Sequence, residues 1–450
     1  DQAWAAAAAA QAWSDSVPVL FLSPGMPLAH PWLGNGELHE VKEQRAALDA
    51  IVAYSHRVGS VAEIGTAVAA AFARMTAGRS RPVHLEIPLD LLEATAPCTV
   101  PAPLPVSAPR ADESTVDAAA RALGAARRPV LIAGGGARAA SGQLRELAER
   151  LTAPVLSTAN GKGVLDERHP LAVGAGLHQP SARTLAESSD VVLAVGTELA
   201  PTDLWNGPFE HTGTLIRVDI DAAAILANAD PDIRLVGEAA PTLSAIRAAL
   251  PEPAADRSGR AAEARSAFRA DAAREGEPWA GLTAALREVV DQDTILAGDS
   301  TRACYYGILS GVPARRPAGF LYPAGMGTLG YGLPAAIGAK LAEPDAKVLA
   351  VLGDGGIMFT IAELATAAQL RLGIPVLVVD DNGYGEIRAE MLDRGEPPTA
   401  VTFGGTDFLA VARGFGCHAE PVTEPARLPG AITKAFGRQA PTVLHLRLGD

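Results

Sequence analysis

The sequence predicts an α/β protein built of three doubly wound parallel sheets. Three observations lead there. Short runs that are apolar almost throughout, rich in Val, Ile and Leu, recur along the 450 residues, as strands buried on both faces require. Amphipathic segments of helical period alternate with them. The balance of 48% apolar and 20% charged residues, with 45 glycines and 34 prolines, suits tight turns between packed helices and strands. At about 150 residues per domain the length allows about three.

The first block, residues 1–100, holds the strand-like "VPVLFLSPG" (17–25) and "PVHLEIPLD" (82–90), with the helical pattern "VAEIGTAVAAAFARMTA" (61–77) between them. A Pro/Ala-rich linker, 101–114, follows. The second block, 115–250, carries "PVLIAGGGA", "PVLSTAN", "DVVLAVGTEL" and "TLIRVDID" in sequence and reads as a Rossmann-like sheet. Its GGGA turn lacks the full dinucleotide fingerprint, because Ala139 stands where the last glycine counted from Gly134 belongs. A charged, Ala-rich connector spans about 251–278. The third block, 279–450, has "TILAGDS", "KVLAVLGDGG", "IPVLVVDDN" and "PTVLHLRL".

Charge and cysteine usage exclude several classes. The net charge is −13 and no basic run exceeds two residues, so the footprint of a nucleic-acid binder is missing. Cys98, Cys304 and Cys417 lie far apart with no metal-ligand spacing, which argues against a disulfide framework or a structural zinc and fits a cytoplasmic protein. Neither an apolar stretch of about 18 residues nor a signal peptide is found, so no membrane partner is expected. The alanine run after "DQAW" reads as an Ala-rich helix or as the start of a chain that begins inside a longer one.

The chemistry gathers at two strand ends. Gly353, Asp354, Gly355 and Gly356 end one apolar run and precede the helical pattern "TIAELATAAQLRL". Backbone N–H groups there can face an anion while Asp354 faces a cation. Asp381 follows about 27 residues on, enough for a helix and a return to the neighbouring parallel strand. Two carboxylates and a carbonyl near Gly383 leave positions open, as Mg²⁺ requires when phosphate oxygens and water complete its octahedron.

GDG, that interval, and then an acid or amide before Gly383-Tyr384-Gly385 resemble the thiamine diphosphate motif of the acetolactate synthase and 2-oxo acid decarboxylase family. "RPVHLEIPLD", "PVLIAGGGA" and "GMGTLGYGLPAAIGAKLA" also resemble family segments, in the family's order, so the resemblance covers essentially the whole chain. It implies a pyrimidine-binding first domain, a central domain without nucleotide, and a third domain that grips the diphosphate and Mg²⁺. The family usually carries Asn-Asn where this chain has Asp380-Asp381, so the spacing assigns the ligand role to Asp381 and not to Asn382.

The same resemblance implies that Leu329 wedges the bent cofactor and that Gly327 offers a carbonyl to it. Ser300 and Thr301, with Gly353, Gly355, Gly356 and Ile357, border the diphosphate, and Arg302 is either a further donor or a surface residue. A homodimer or homotetramer is implied, with the cofactor between subunits. The family's pyrimidine-activating Glu precedes the segment matching "SDSVPVLFL" and has no counterpart here; a chain lacking its upstream part explains this better than an inert homologue. The wording "GYGEIR.EM..RG" is similar to decarboxylases of 5-guanidino-2-oxopentanoate. Glu386 is then the substrate-facing carboxylate, pairing a guanidinium. The alternatives are an acetolactate-synthase-like carboligase, or Glu386 and Glu390 as a solvated helix face paired with Arg388 and Arg394. His30, His39 and Gln44 border the pocket in relatives and are expected to be structural here.

Overall fold

A computed structural model of the chain describes residues 5–30, 34, 36–97, 100–102, 104–205, 207–251 and 259–448. Cys98 lies outside them. The chain divides into two compact units, Asp1–Arg110 and Ala111–Asp450.

The first unit holds a parallel sheet of order β1-β3-β2, with β1 at Leu20–Gly25, β2 at Tyr54–Arg57 and β3 at Val83–Pro88. Helix Val61–Thr76 sets Ala67, Ala71 and Met75 against Val58, Val83 and Leu85. The centre of this sheet is polar. His84 is fully buried, 2.7 Å from Ser23 Oγ through Nε2 and 2.7 Å from Ser55 Oγ through Nδ1. Burial pushes its imidazole down to about 4. Gln44 donates to the carbonyl of Pro24 at 2.8 Å, and buried His30 lies 3.6 Å from Glu37 and from Glu40, so both brace the loops of this unit. His39 occupies a turn at φ +67°.

The second unit holds two sheets. The central one runs β6-β5-β4-β7-β8-β9, with β4 Pro129–Ala133, β5 Val155–Ser157, β6 Ala172–Ala175, β7 Val191–Val195, β8 Thr214–Asp219 and β9 Ile233–Val236. The last runs β11-β10-β12-β13-β15-β14, with β10 Thr294–Gly298, β11 Phe320–Leu321, β12 Lys347–Gly353, β13 Pro375–Asp380, β14 His418–Val422 and β15 Thr442–Arg447. Among the described residues every pairing between the named strands is parallel, and β4, β7, β10 and β13 are buried along their whole length, which is why they read as unbroken apolar runs.

Within the charged connector, Arg260–Glu275 form a packed helix. Its apolar anchors Ala261, Phe268 and Ala272 are sparse, so the sequence pattern hides them. Phe268 fills the space that a side chain at Gly174 would take. Arg260 donates to the carbonyl of Pro129 at 2.6 Å and to Ser189 Oγ at 2.7 Å. A buried ion pair within one loop of the central sheet also anchors the segment leading to β11. Lys162, in the loop after β5, reaches Glu167 Oε2 at 2.5 Å, and the same oxygen accepts the N–H of Ala314 at 2.6 Å.

Candidate active site

In open α/β sheets ligands bind where the strand order reverses, beyond the carboxyl ends. In the last sheet that point lies between β10 and β12. Both strands finish on the same dipeptide, Gly298-Asp299 and Gly353-Asp354. A Cβ on Gly353 would lie 3.0 Å from Thr301 Oγ1, and one on Gly356 would lie 3.3 Å from the Asp299 carboxylate, so only glycine lets the two strand ends approach this closely.

Asp299 organises one side. Fully buried, it accepts the backbone N–H of Ser300 at 2.7 Å, Gly330 at 3.0 Å and Gly332 at 3.3 Å. Burial pushes its carboxyl up to about 6, and these donors pull the other way. It thereby ties the turn carrying exposed Gly327, at φ +66°, and half-buried Leu329 to the end of β10, beside buried Ser300. Sequence reasoning missed Asp299, although the repeated Gly-Asp after an apolar run was the available signal.

Asp354 and Asp381 form the other side. β12 and β13 are neighbours, with Gly353 opposite Val379, so both acids leave the sheet at one edge. Asp354 Oδ2 accepts the N–H of Gly383 at 2.7 Å, while its buried Oδ1 has no hydrogen-bond partner. Burial pushes this carboxyl up to about 7, and the charges of Asp380 and Asp381 add to the effect. Burial likewise raises Asp381, against the pull of Arg388 and Arg302. An orphaned buried carboxylate oxygen beside a second carboxylate is an oxygen donor set short of a cation, as a hard divalent metal would require.

Asp380 faces away. His445 Nε2 lies 2.8 Å and Arg447 Nε 3.2 Å from its Oδ2, and the N–H of Asn382 donates to Oδ1 at 3.0 Å. Burial pushes Asp380 up, but these bonds together outweigh it and hold the carboxyl below its usual range. The extra charge of the Asp-Asp pair is thus compensated on β15. Asn382 is exposed at φ +63° and lines, with Asp354, Asp380, Phe403 and Thr406, a cavity of about 210 Å³.

The glycines here are steric necessities. Gly383 sits at φ +130°, and a Cβ on it would lie 2.0 Å from the carbonyl of Val401. One on Gly385 would lie 2.0 Å from Asp381 Oδ2, and one on Gly355 would lie 2.9 Å from the Tyr384 ring. Tyr384 in turn packs edge-on against Phe403 at 4.7 Å. The helix after the glycines is split into a single turn, Asp354–Ile357, and the main helix Glu363–Gln369. The side chain of Ile357 belongs to the core, so only its backbone is free for a ligand.

The helix that follows, Gly385–Asp393, divides its charges. Glu390 pairs with Arg394 at 3.7 Å in solvent, as expected of a helix face. Arg388 instead donates to the carbonyls of Asp381 at 2.8 Å and Asn382 at 3.0 Å, clamping the turn that carries the acids. Glu386 turns inward: its Oε1 accepts the Tyr306 hydroxyl at 2.5 Å, and its Oε2 lies 3.4 Å from Arg302 Nε. Tyr306 belongs to a π-helical segment, Ala303–Ile308, and meets Trp205 of the central sheet's loops edge-on at 5.9 Å. The contacts of Glu386 with Tyr306 and of Tyr306 with Trp205 were not legible in the sequence.

The central sheet has its own reversal point, between β4 and β7, but there the loops meet backbone to backbone. Gly136 N–H donates to the carbonyl of Gly196 at 3.0 Å, and a Cβ on Gly134 would lie 2.2 Å from that oxygen.

Residues 303–446 match the model of the thiamine pyrophosphate enzyme C-terminal TPP-binding domain, and 116–246 match that of the thiamine pyrophosphate enzyme central domain. The chain is 37% identical over 449 residues to a probable 2-ketoarginine decarboxylase of Pseudomonas aeruginosa, covering 98% of this chain and 80% of the relative. It is 28% identical over 451 residues to the large subunit of acetolactate synthase isozyme 1 of Escherichia coli, with the same coverage of both. An acetolactate synthase of Arthrospira platensis is 30% identical over 470 residues, covering 98% of this chain and 79% of that protein. With the two strand-end acids at the reversal point of a parallel sheet and a relative this similar along nearly its full length, the chain belongs to the thiamine diphosphate-dependent enzymes, the family of 2-oxo acid decarboxylases and acetolactate synthases.

Proposed function

We propose that this enzyme decarboxylates 5-guanidino-2-oxopentanoate to 4-guanidinobutanal and CO₂, with Mg²⁺ as the cofactor's metal. Asp354, Asp381 and the carbonyl of Gly383 would ligate the metal. Ser300 and Thr301, with the backbone of Gly353, Gly355, Gly356 and Ile357, would border the diphosphate. Gly327 and Leu329 would meet the rest of the cofactor, and Tyr384 and Gly385 keep the acids in register. When bound, thiamine diphosphate supplies the nucleophilic carbon and the electron sink that loss of CO₂ from a 2-oxo acid needs. The protein's part is to orient the substrate and keep water away from the reacting bond.

The observation that carries the substrate is Glu386. Its carboxylate is turned out of the solvated helix face and fixed beside Tyr306, within reach of a guanidinium. The 2-ketoarginine decarboxylase relative supports the same reading. The closed loops at Gly134 and Gly196 support a central domain that needs no nucleotide, and the family supports a homodimer or homotetramer working on a small-molecule substrate. Buried, free Cys304 and Cys417 fit a cytoplasmic setting. No helix among the described residues is long and apolar enough to cross a membrane.

The test is CO₂ release, with products identified, from a panel of 2-oxo acids with Mg²⁺ and thiamine diphosphate added. A charge-assisted hydrogen bond contributes about 1.5–3 kcal/mol, so Glu386→Leu should lower kcat/KM for the guanidino acid roughly 10- to 150-fold while 2-oxopentanoate changes less than about threefold. Equal losses on both would remove the substrate assignment, and acetolactate as the main product from pyruvate would replace decarboxylation by carboligation.

A further inference from the structure

The contact between Arg302 and Glu386 is unlike a settled ion pair of the same protein. Arg316 meets Glu343 with two guanidinium nitrogens on two oxygens, at 2.7 and 2.8 Å. Arg302 reaches Glu386 through Nε alone at 3.4 Å, and that nitrogen is buried without a hydrogen-bond partner. A guanidinium that could bind a carboxylate in a two-pronged fork therefore meets Glu386 by one long contact, with the Tyr306 ring 6.0 Å away as its other neighbour on that side. Its side chain is 36% exposed.

Glu386 does not need Arg302 to stay in place. The Tyr306 hydroxyl holds Oε1, and Tyr306 is backed by the edge of Trp205. The indole is itself fixed: it stacks on His178 with centroids 3.7 Å apart, and its Nε1 donates to the carbonyl of Thr202 at 2.9 Å. Trp205 sits at φ +54°, a left-handed backbone that a bulky residue keeps only when its surroundings impose it. The carboxylate is thus rigid, with one oxygen taken by a neutral donor and the other lightly covered by a guanidinium. Arg302 also has a second carboxylate to turn to, because its aliphatic stem passes beside Gly385, where the Asp381 carboxylate also lies, and the two charges attract.

We infer that Arg302 is a built-in stand-in for the substrate's cationic tail: its guanidinium covers Glu386 in the free protein and gives way to the guanidinium of the incoming 2-oxo acid, which makes Arg302 a specificity-determining residue. This inference rests on the guanidino acid being the substrate. A tail that offers two N–H groups to Glu386 exchanges one long contact for a fork, so it displaces Arg302 with a net gain in hydrogen bonds. An uncharged tail has nothing to exchange and leaves Arg302 in place. Selectivity against neutral 2-oxo acids then comes from the attraction of Glu386 and from a cation that only another cation removes.

The experiment compares wild type with Arg302→Gln and Arg302→Lys at saturating Mg²⁺ and thiamine diphosphate, after the cofactor affinity of each has been measured. Calorimetric binding of 4-guanidinobutanoate, which has the tail but no 2-oxo group to react, gives a readout independent of turnover. Partly exposed pairs contribute about 0.2–1 kcal/mol, so Arg302→Gln should bind 4-guanidinobutanoate about 1.5- to 5-fold more tightly. The KM for the guanidino 2-oxo acid should fall by a similar factor, and that for 2-oxopentanoate should move less than that factor. Arg302→Lys keeps the competing charge and should stay nearer wild type. Weaker or unchanged binding of 4-guanidinobutanoate by Arg302→Gln would overturn the inference and make Arg302 a permanent brace. Failure of the substrate reading looks different: wild type would bind pentanoate as well as 4-guanidinobutanoate, and Glu386→Leu would cost both 2-oxo acids equally.

Discussion

Replacing Gly385 by alanine separates stability from cofactor binding. The new Cβ would stand 2.0 Å from Asp381 Oδ2 and 3.1 Å from Arg302 Cδ. Ordinary van der Waals contact begins near 3.4 Å, so the carboxylate oxygen must retreat by about 1.4 Å. Metal–oxygen distances tolerate only about 0.2 Å, so a displacement of that size takes Asp381 out of any coordination sphere shared with Asp354. The backbone, in contrast, gains. Gly385 opens the helix Gly385–Asp393, where alanine is favoured over glycine by up to about 1 kcal/mol, and it lacks the positive φ that would penalise a side chain. Gly385→Ala should therefore melt within a degree or two of wild type without cofactor, while its affinity for thiamine diphosphate, titrated with Mg²⁺ by intrinsic fluorescence, falls roughly 10- to 100-fold, approaching that of Asp381→Ala. Asn382→Ala should keep most of the affinity. An affinity within twofold of wild type for Gly385→Ala would refute the assignment of Asp381 as a ligand; a cofactor-free melting temperature lower by many degrees would show that more than the Asp381 side chain must move and would refute the separation of stability from binding.

Two further outcomes concern buried charge. Lys162→Met leaves Glu167 buried without a cation and should destabilise the second unit by about 3–5 kcal/mol, whereas the double variant with Glu167→Gln, which still accepts the N–H of Ala314, should recover most of the loss in urea unfolding. Burial of Lys162 outweighs the attraction of Glu167 and lowers its ammonium, so the pair as a whole adds little stability. His84 links the first unit to pH. Its folded value of about 4 lies below the unfolded value near 6.5, so between those limits the unfolded chain binds the extra proton. Stability of the Ser23–Ser55–His84 sheet should be complete above pH 6.5 and fall by about 1.4 kcal/mol per pH unit down to about 4, as read by hydrogen exchange of its strands. His84→Asn should flatten that slope.

Much of this molecule could be read along the chain because its determinants are local or periodic. A strand buried on both faces must be apolar throughout, so β4, β7, β10, β12 and β13 announced a parallel sheet. Gly353-Asp354, the interval to Asp381 and the glycines at 383 and 385 announced the acids because close backbone approach admits no side chain. Partnership across sheets has no such signature. Asp299 gathers N–H groups from Gly330 and Gly332, the charge of Asp380 is absorbed by His445 and Arg447 on β15, and Glu386 is set by Tyr306 and Trp205, whose loop lies in the central sheet. Sequence determined which residues could do the chemistry. Only the tertiary structure decided which way each charge turns, because a carboxylate on a helix is free to face water or protein until its neighbours from distant strands are in place.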